Sequence, residues 1–178
     1  MTSLLTPASV LAEVSRPYSK RVMNNVHRSE YVEAIVGLAL RDIGWTRMEP
    51  WDAWDCEHES GLRLEVKQSA AAQSWWSDGK PSAPRFDVAS RTRYWDYDTG
   101  SWVFKERRHA HIYVFAWHGA PRETADQRDP ATWEFYVIPE PELPKQKTIG
   151  LNPIRRLTDP CGIEGLAAAV GAVARPRQ

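Results

Sequence analysis

Residues 51–70 read WDAWDCEHESGLRLEVKQSA, and the fold turns on how they are read. Apolar and charged residues alternate with a period of two, the mark of a half-buried strand. Glu59-Ser60-Gly61 breaks the alternation with a loop of about three residues, Gly61 suited to the left-handed position, so the segment predicts a β-hairpin. A loop centred on Ser60 sets Asp55 opposite Glu65 and Glu57 opposite Arg63, and facing residues share one side of a sheet. Asp55, Glu57, Arg63, Glu65 and Lys67 then project one way, whereas Trp54, Cys56, Leu62, Leu64 and Val66 project towards the core. The same parity turns Asp52 to the core side.

On the charged side, Asp55 and Glu65 have Cβ atoms about 5 Å apart in this register. That spacing lets both reach one hard divalent cation with oxygen ligands at about 2.1 Å. Lys67 stands beside them. Alternating charge alone is what any solvated strand face shows, so the pattern needs support from elsewhere in the chain.

Working outward, Asn24 or Asn25 is suited to cap a helix running to Ile43, with Val32, Ile35, Val36, Ala39 and Ile43 on one stripe and Gly44 as its stop. Residues 1 to about 22, interrupted by Pro7 and Pro17, hold a short helix at most. Beyond the hairpin, 71–84 is a small, polar loop segment and Arg85–Ala89 a short strand. Residues 91–108 mix Trp95, Tyr97, Trp102 and Phe104 with basic residues around the turn-like DYDTGS. His109–Trp117 and Thr132–Ile138 are rich in β-branched and aromatic residues and read as strands. A short strand at 147–151 and a helix at 162–174 complete the chain. A helix, a hairpin and further strands with little helix between them predict an α+β, α/β/α-like fold, a mixed sheet flanked by helices. Without repeats or composition breaks, 1–178 is one domain, with 1–22 a peripheral segment and 160–178 a C-terminal helix and tail.

Composition narrows the function. The chain has 178 residues, 23 basic against 23 acidic side chains and 2 cysteines. Zero net charge excludes whole-surface attraction to polyanions, so any nucleic-acid contact must come from a local cluster. Arg85, Arg91, Arg93, Lys105, Arg107 and Arg108, interleaved with aromatics, supply one suited to phosphate contacts and stacking. Two cysteines make no disulfide framework, and no leader or membrane-length apolar run is evident, so a cytoplasmic, non-membrane protein is expected. His109 and His111 share a strand face, as any such pair does, but no cysteine or carboxylate spacing joins them as a zinc site. No P-loop, GxGxxG, GxSxG or CxxC occurs, which argues against a nucleotide cofactor or a serine hydrolase.

The string DCEHESGLRLEVK, from Asp55 to Lys67, resembles the D…(D/E)xK signature of the PD-(D/E)XK nuclease superfamily, whose members carry it on a β-hairpin after a helix with an acidic residue. Trp54 stands where that signature often has proline. RSEYVEAIVGLAL, RRHAHIYVFAW, WEFYVIPEPEL and QKTIGLN look like an uncharacterised branch of the superfamily, extending the resemblance over about residues 28–155. It implies a restriction-endonuclease-like core and a Mg²⁺-dependent nuclease acting on DNA in restriction, phage defence or repair, with Mn²⁺ as a substitute ion. The alternative is a DNA-binding or assembly module of the same fold without catalysis. By the same resemblance Asp55, Glu65 and the Val66 carbonyl hold metal, and Lys67 orients water and offsets phosphoryl charge. Glu30 or Glu33 completes the shell: Glu30 matches the family's pattern and is taken first, while Glu33 lies nearer the buried stripe. Gln68, Ser69 and Gln73 are polar neighbours. A homodimer is expected, since one site cuts one strand and a two-fold pair matches a duplex.

Overall fold

The stripe on residues 24–43 folds as expected. In the computed structural model, which describes residues 5–49, 52–75, 81–96 and 99–174, helix α2 spans Asn25–Leu40. Asn24 caps it, its Oδ1 accepting from the His27 N–H at 3.0 Å. Val32, Ile35 and Val36 are buried, but the last turn tightens into a 3₁₀ turn, Arg41–Ile43, and leaves Ile43 half exposed. Gly44, at φ +85°, then reverses the chain, a conformation that favours glycine. Ahead of α2, helix α1 (Pro7–Ser15) starts in a capping box between Thr6 and Ser9 and buries none of its residues.

Strands β1 (Trp45–Arg47), β2 (Cys56–His58), β3 (Arg63–Ala70), β7 (Ile112–His118) and β8 (Glu134–Pro139) form one mixed sheet in the order β1-β2-β3-β7-β8. The hairpin has the register the loop predicts, with Cys56 opposite Leu64 and Glu57 opposite Arg63, and Gly61 at φ +81°. Strands β3 and β7 are parallel, all other neighbours antiparallel. The crossover between them carries β4 (Arg85–Asp87) and a ribbon of β5 (Arg91–Asp96) and β6 (Ser101–Arg107), which among the described residues pair only with each other. β9 (Thr148–Gly150) pairs with β4; α3 (Leu151–Arg155) and α4 (Ile163–Ala174) follow. The short β1 and α3, and the pairing of β5 with β6, go beyond the sequence reading. Tyr97 and residues 76–80 lie outside the described residues. No helix among the described residues is long and apolar enough to cross a membrane.

The sheet has an apolar layer on each side. Cys56, Leu64, Val66, Val114 and Val137 pack against α2 and α4, while Tyr113, Phe115, Tyr136 and Ile138 pack against Phe86, Ile149 and Ile154. Glu65 and Lys67 pair laterally with Tyr113 and Phe115 on β7, so their side chains share the second side of the sheet. Burying Leu64 and Val66 stabilises this register by about 2 kcal/mol each. Leu64→Ala is therefore expected to lower the unfolding free energy by about 3 kcal/mol, read as a lower urea midpoint with an unchanged slope.

Candidate functional site

Asp55 stands immediately before β2, where regular pairing with β3 ends. Its N–H donates to the Leu64 carbonyl at 3.0 Å and its own carbonyl accepts from the Met48 N–H at 2.9 Å. The next donor on β3, the Val66 N–H, turns to the side chain and donates to Asp55 Oδ2 at 2.6 Å. Glu65 Oε1 is paired with the Lys67 ammonium, both side chains being largely buried. Asp55 Oδ1 and Glu65 Oε2 have no hydrogen-bond partner among the described residues. Burial, followed by the negative charges of Glu65 and then Glu33, pushes the Asp55 carboxyl up to about 8, against the opposing pull of the Val66 N–H and Lys67.

Asp55 and Glu65 lie in a cleft of about 470 Å³ lined also by Asp52, Ala53, Arg91, Arg93, Tyr94, Trp95, Trp102 and His109. The ribbon thus forms a wall above the hairpin. Asp52 corrects the parity argument: residues 52–55 run in bends before β2, so Asp52 reaches the cleft, with its Oδ2 accepting from the Glu49 N–H at 2.9 Å. Trp54 departs from the same rule. It packs on the second side of the sheet, where the Arg63 guanidinium lies 3.8 Å from its ring centre.

Of the two helix acids, Glu33 is the one whose charge acts on Asp55. Glu33 also accepts from Ser29 Oγ at 3.1 Å and pairs with Arg47 at 3.5 Å. Glu30 is engaged elsewhere, accepting the Tyr18 hydroxyl. Gln68 and Gln73 face α2, where with Asn25 they accept the guanidinium hydrogens of the buried Arg28 at 2.5, 3.0 and 2.8 Å. Ser69 Oγ accepts from the Arg85 N–H at 3.4 Å and ties β3 to β4. None of these three polar residues lines the carboxylate cleft.

The six basic residues divide. Arg91 and Arg93 line the cleft, Arg91 also pairing with Asp87 at 3.0 Å. Arg85, Lys105 and Arg107 are exposed. Arg108 is used inside the fold: its guanidinium donates to the carbonyls of Val88, Leu143, Pro144 and Gln146 and pairs with Glu140 at 3.4 Å.

His109, which the sequence offers only as a weak zinc-ligand candidate beside His111, lines the cleft. Its Nδ1 accepts from Arg107 Nε at 3.3 Å, which leaves the proton on Nε2, and that buried nitrogen has no partner among the described residues. Trp54 Nε1 and Arg63 Nε are likewise buried without an acceptor among the described residues. Rings connect the three positions: Trp54 lies 5.9 Å from Tyr94, and Tyr94 4.7 Å from His109. Of these donors, His109 Nε2 belongs to a residue that lines the cleft with the carboxylates.

The donor set fits a hard divalent cation, since two carboxylates each keep one oxygen unengaged and the buried one carries repulsion that the Val66 N–H and Lys67 only partly offset. Among the described residues no three Asp, Glu, His or Cys side chains already form an ion cage, so water and substrate would supply the remaining ligands. No protein-family model matches the chain, and no curated protein matches it in sequence.

Two outcomes follow from this geometry. Between the ordinary carboxylate range and about 8, folded Asp55 keeps a proton that the unfolded chain has released, so its contribution to stability is lost as pH rises through that window. In metal-free buffer, Asp55→Asn should gain on the parent by more than about 1 kcal/mol between pH 5 and pH 8 in urea titrations. Arg108→Ala should destabilise the fold by about 2 kcal/mol through its four abandoned carbonyls, with Arg107→Ala within about 0.5 kcal/mol of the parent.

Proposed function

We propose that this chain is a Mg²⁺-dependent endonuclease that hydrolyses DNA phosphodiester bonds, of the restriction-endonuclease-like kind, with Mn²⁺ able to substitute. The observation that carries the reading is the meeting of Asp55 with the Lys67-paired Glu65 in a cleft whose other wall is arginine and aromatic. A carboxylate pair by itself repels a phosphodiester. It becomes a phosphate site only with a cation between the two, and the wall supplies groups that recognise the rest of a nucleotide.

Asp55, Glu65 and the Val66 carbonyl would hold the ion, with Glu33 as the neighbouring helix carboxylate. When bound, the cation supplies Lewis-acid polarisation of the scissile phosphate and acidifies water. Asp55 must release its proton to bind it, so ion uptake and proton release are linked. Lys67, held by Glu65, orients the attacking water and offsets the negative charge that grows on the phosphoryl oxygens. Arg91 and Arg93 attract the flanking phosphates. Cutting both strands of a duplex takes two such sites and hence a homodimer, whereas a single strand takes one. This chemistry suits restriction, phage defence or repair.

Lys67 and Asp55 should fail differently. Lys67→Ala is expected to keep divalent-ion binding by calorimetry and still cut DNA about 100-fold more slowly, the scale of losing one preorganised electrostatic group. Asp55→Asn should lose ion binding and cleavage together, while metal-free DNA binding near pH 7 stays at the parent's level, since the carboxyl it replaces already keeps its proton there. Parent-level cleavage by both variants, in Mg²⁺ and in Mn²⁺, would remove the nuclease reading.

A further inference from the structure

We infer that the β5–β6 ribbon is a base-stacking surface that seats an unpaired nucleotide beside Asp55 and Glu65, making single-stranded DNA the preferred substrate over continuous duplex. The inference rests on the nuclease reading and adds the substrate class to it.

The register assigns the ribbon's two faces. Tyr94 is opposite Val103, and Tyr94 is the anchor, packing on Trp54 and His109 at 5.9 and 4.7 Å. Arg93 is opposite Phe104 and Trp95 opposite Trp102, so these four share the other face. Trp102 is 49% exposed and Phe104 72%. The Arg93 guanidinium lies 4.6 Å from the Trp102 ring centre and 5.9 Å from that of Phe104, and Trp95 meets Trp102 edge to face at 5.5 Å. An open aromatic face with a guanidinium against it is the composition that binds nucleobases without regard to sequence, since every base has a π-face and arginine attracts the phosphates.

Three further observations favour an unpaired nucleotide. First, the face is continuous with the cleft: Arg93, Trp95 and Trp102 line it together with the carboxylates. Second, about 470 Å³ is the size of a pocket for one small molecule, with room for a nucleotide drawn out of its stack. Third, His109 lines the same cleft and keeps an Nε2 proton without an acceptor, and a nucleotide brings acceptors in its phosphate and base. Arg91, Arg93, Lys105 and Arg107 on the ribbon complement the charge of such a ligand.

The test measures binding of the full chain, in metal-free buffer so that nothing is cut, to a labelled oligothymidylate and to a duplex of equal length. The parent should bind the single strand about tenfold tighter. Trp102→Ala with Phe104→Ala should reduce that affinity about tenfold or more, the effect of losing one to two stacked bases, and change duplex affinity less than about threefold. Trp102→Phe with Phe104→Tyr, which keeps both rings, should restore single-strand binding, so that a loss through misfolding is told apart. Duplex binding as tight as single-strand binding overturns the inference, as does an alanine pair that binds like the parent. A ribbon that answers to anionic lipid vesicles and not to the oligonucleotide also overturns it. Cleavage separates the two readings. If duplex and single strand are cut alike and Lys67→Ala slows both, the nuclease reading stands and this inference falls. If neither Asp55→Asn nor Lys67→Ala changes cleavage, the nuclease reading falls, and single-strand binding lost in the alanine pair still supports the ribbon.

Discussion

The hydrogen bond from the Val66 N–H to Asp55 Oδ2 joins the two demands on β3, which must bury Leu64 and Val66 against α2 and α4 while presenting Glu65 and Lys67 on the opposite side. Because side chains alternate, a slip of one residue would carry both carboxylate-side residues into the helix-facing core and expose the two apolar ones. Hydrophobic burial therefore holds the register, and the register holds the acids together. The burden is visible at Asp55, whose proton is retained to about pH 8 because the site is buried and its nearest charges include two of its own sign. A fold without the apolar layer behind β3 would relax this repulsion by moving the strand.

The β5–β6 ribbon converts a carboxylate pair on a sheet into a cleft. Among the described residues its strands pair with neither of the other sheets, and a lone two-stranded ribbon is marginal in water, so its position depends on side-chain anchors, the Arg91–Asp87 pair to β4 among them. Tyr94 wedges against Trp54 and His109, and at the ribbon's C-terminal root Arg108 fastens the chain to Val88 and to the 143–146 segment. Fixed at its root and on one face, the ribbon leaves Trp102 and Phe104 exposed on the other. Covering the acids from one side also lowers the local dielectric, which strengthens both the repulsion between them and their attraction for a cation.

What the sequence discloses follows period and spacing. Helix α2, the hairpin register, β7, β8 and α4 each carry a long, uninterrupted pattern or an unambiguous turn, and each forms close to where it is expected. The parity rule fails at Asp52 and Trp54 because 52–55 is bent, and alternation has meaning only in extended chain. The ribbon is hard to read because its ladder shifts between Arg91 and Arg93, which breaks the period at its start. A helical wheel ranks Glu30 and Glu33 by their angle from the stripe, but their surroundings are set by Tyr18 and Arg47, which no local pattern connects to them. Arg108 looks like the other surface arginines until the carbonyls around it are located.

A buried cation lies on the α2 side of β3, and it is held differently from the acids on the other side. On the α2 side Arg28 is 1% exposed and engaged by Gln68, Gln73 and Asn25, which are neutral oxygen acceptors. Burial lowers its pKa only to about 10, so it stays charged at neutral pH. Its hydrogen bonds are satisfied while its charge is not cancelled by a bonded carboxylate. In a medium of low dielectric such a charge acts well beyond contact distance. Gln68 follows Lys67 directly in β3, so the uncancelled guanidinium lies behind the strand that carries Glu65 and Lys67. The group that feels it is His118, whose imidazole burial and then the Arg28 charge hold below its usual range against the pull of Asp126, whereas Asp55 answers to burial, Glu65, Glu33 and Lys67.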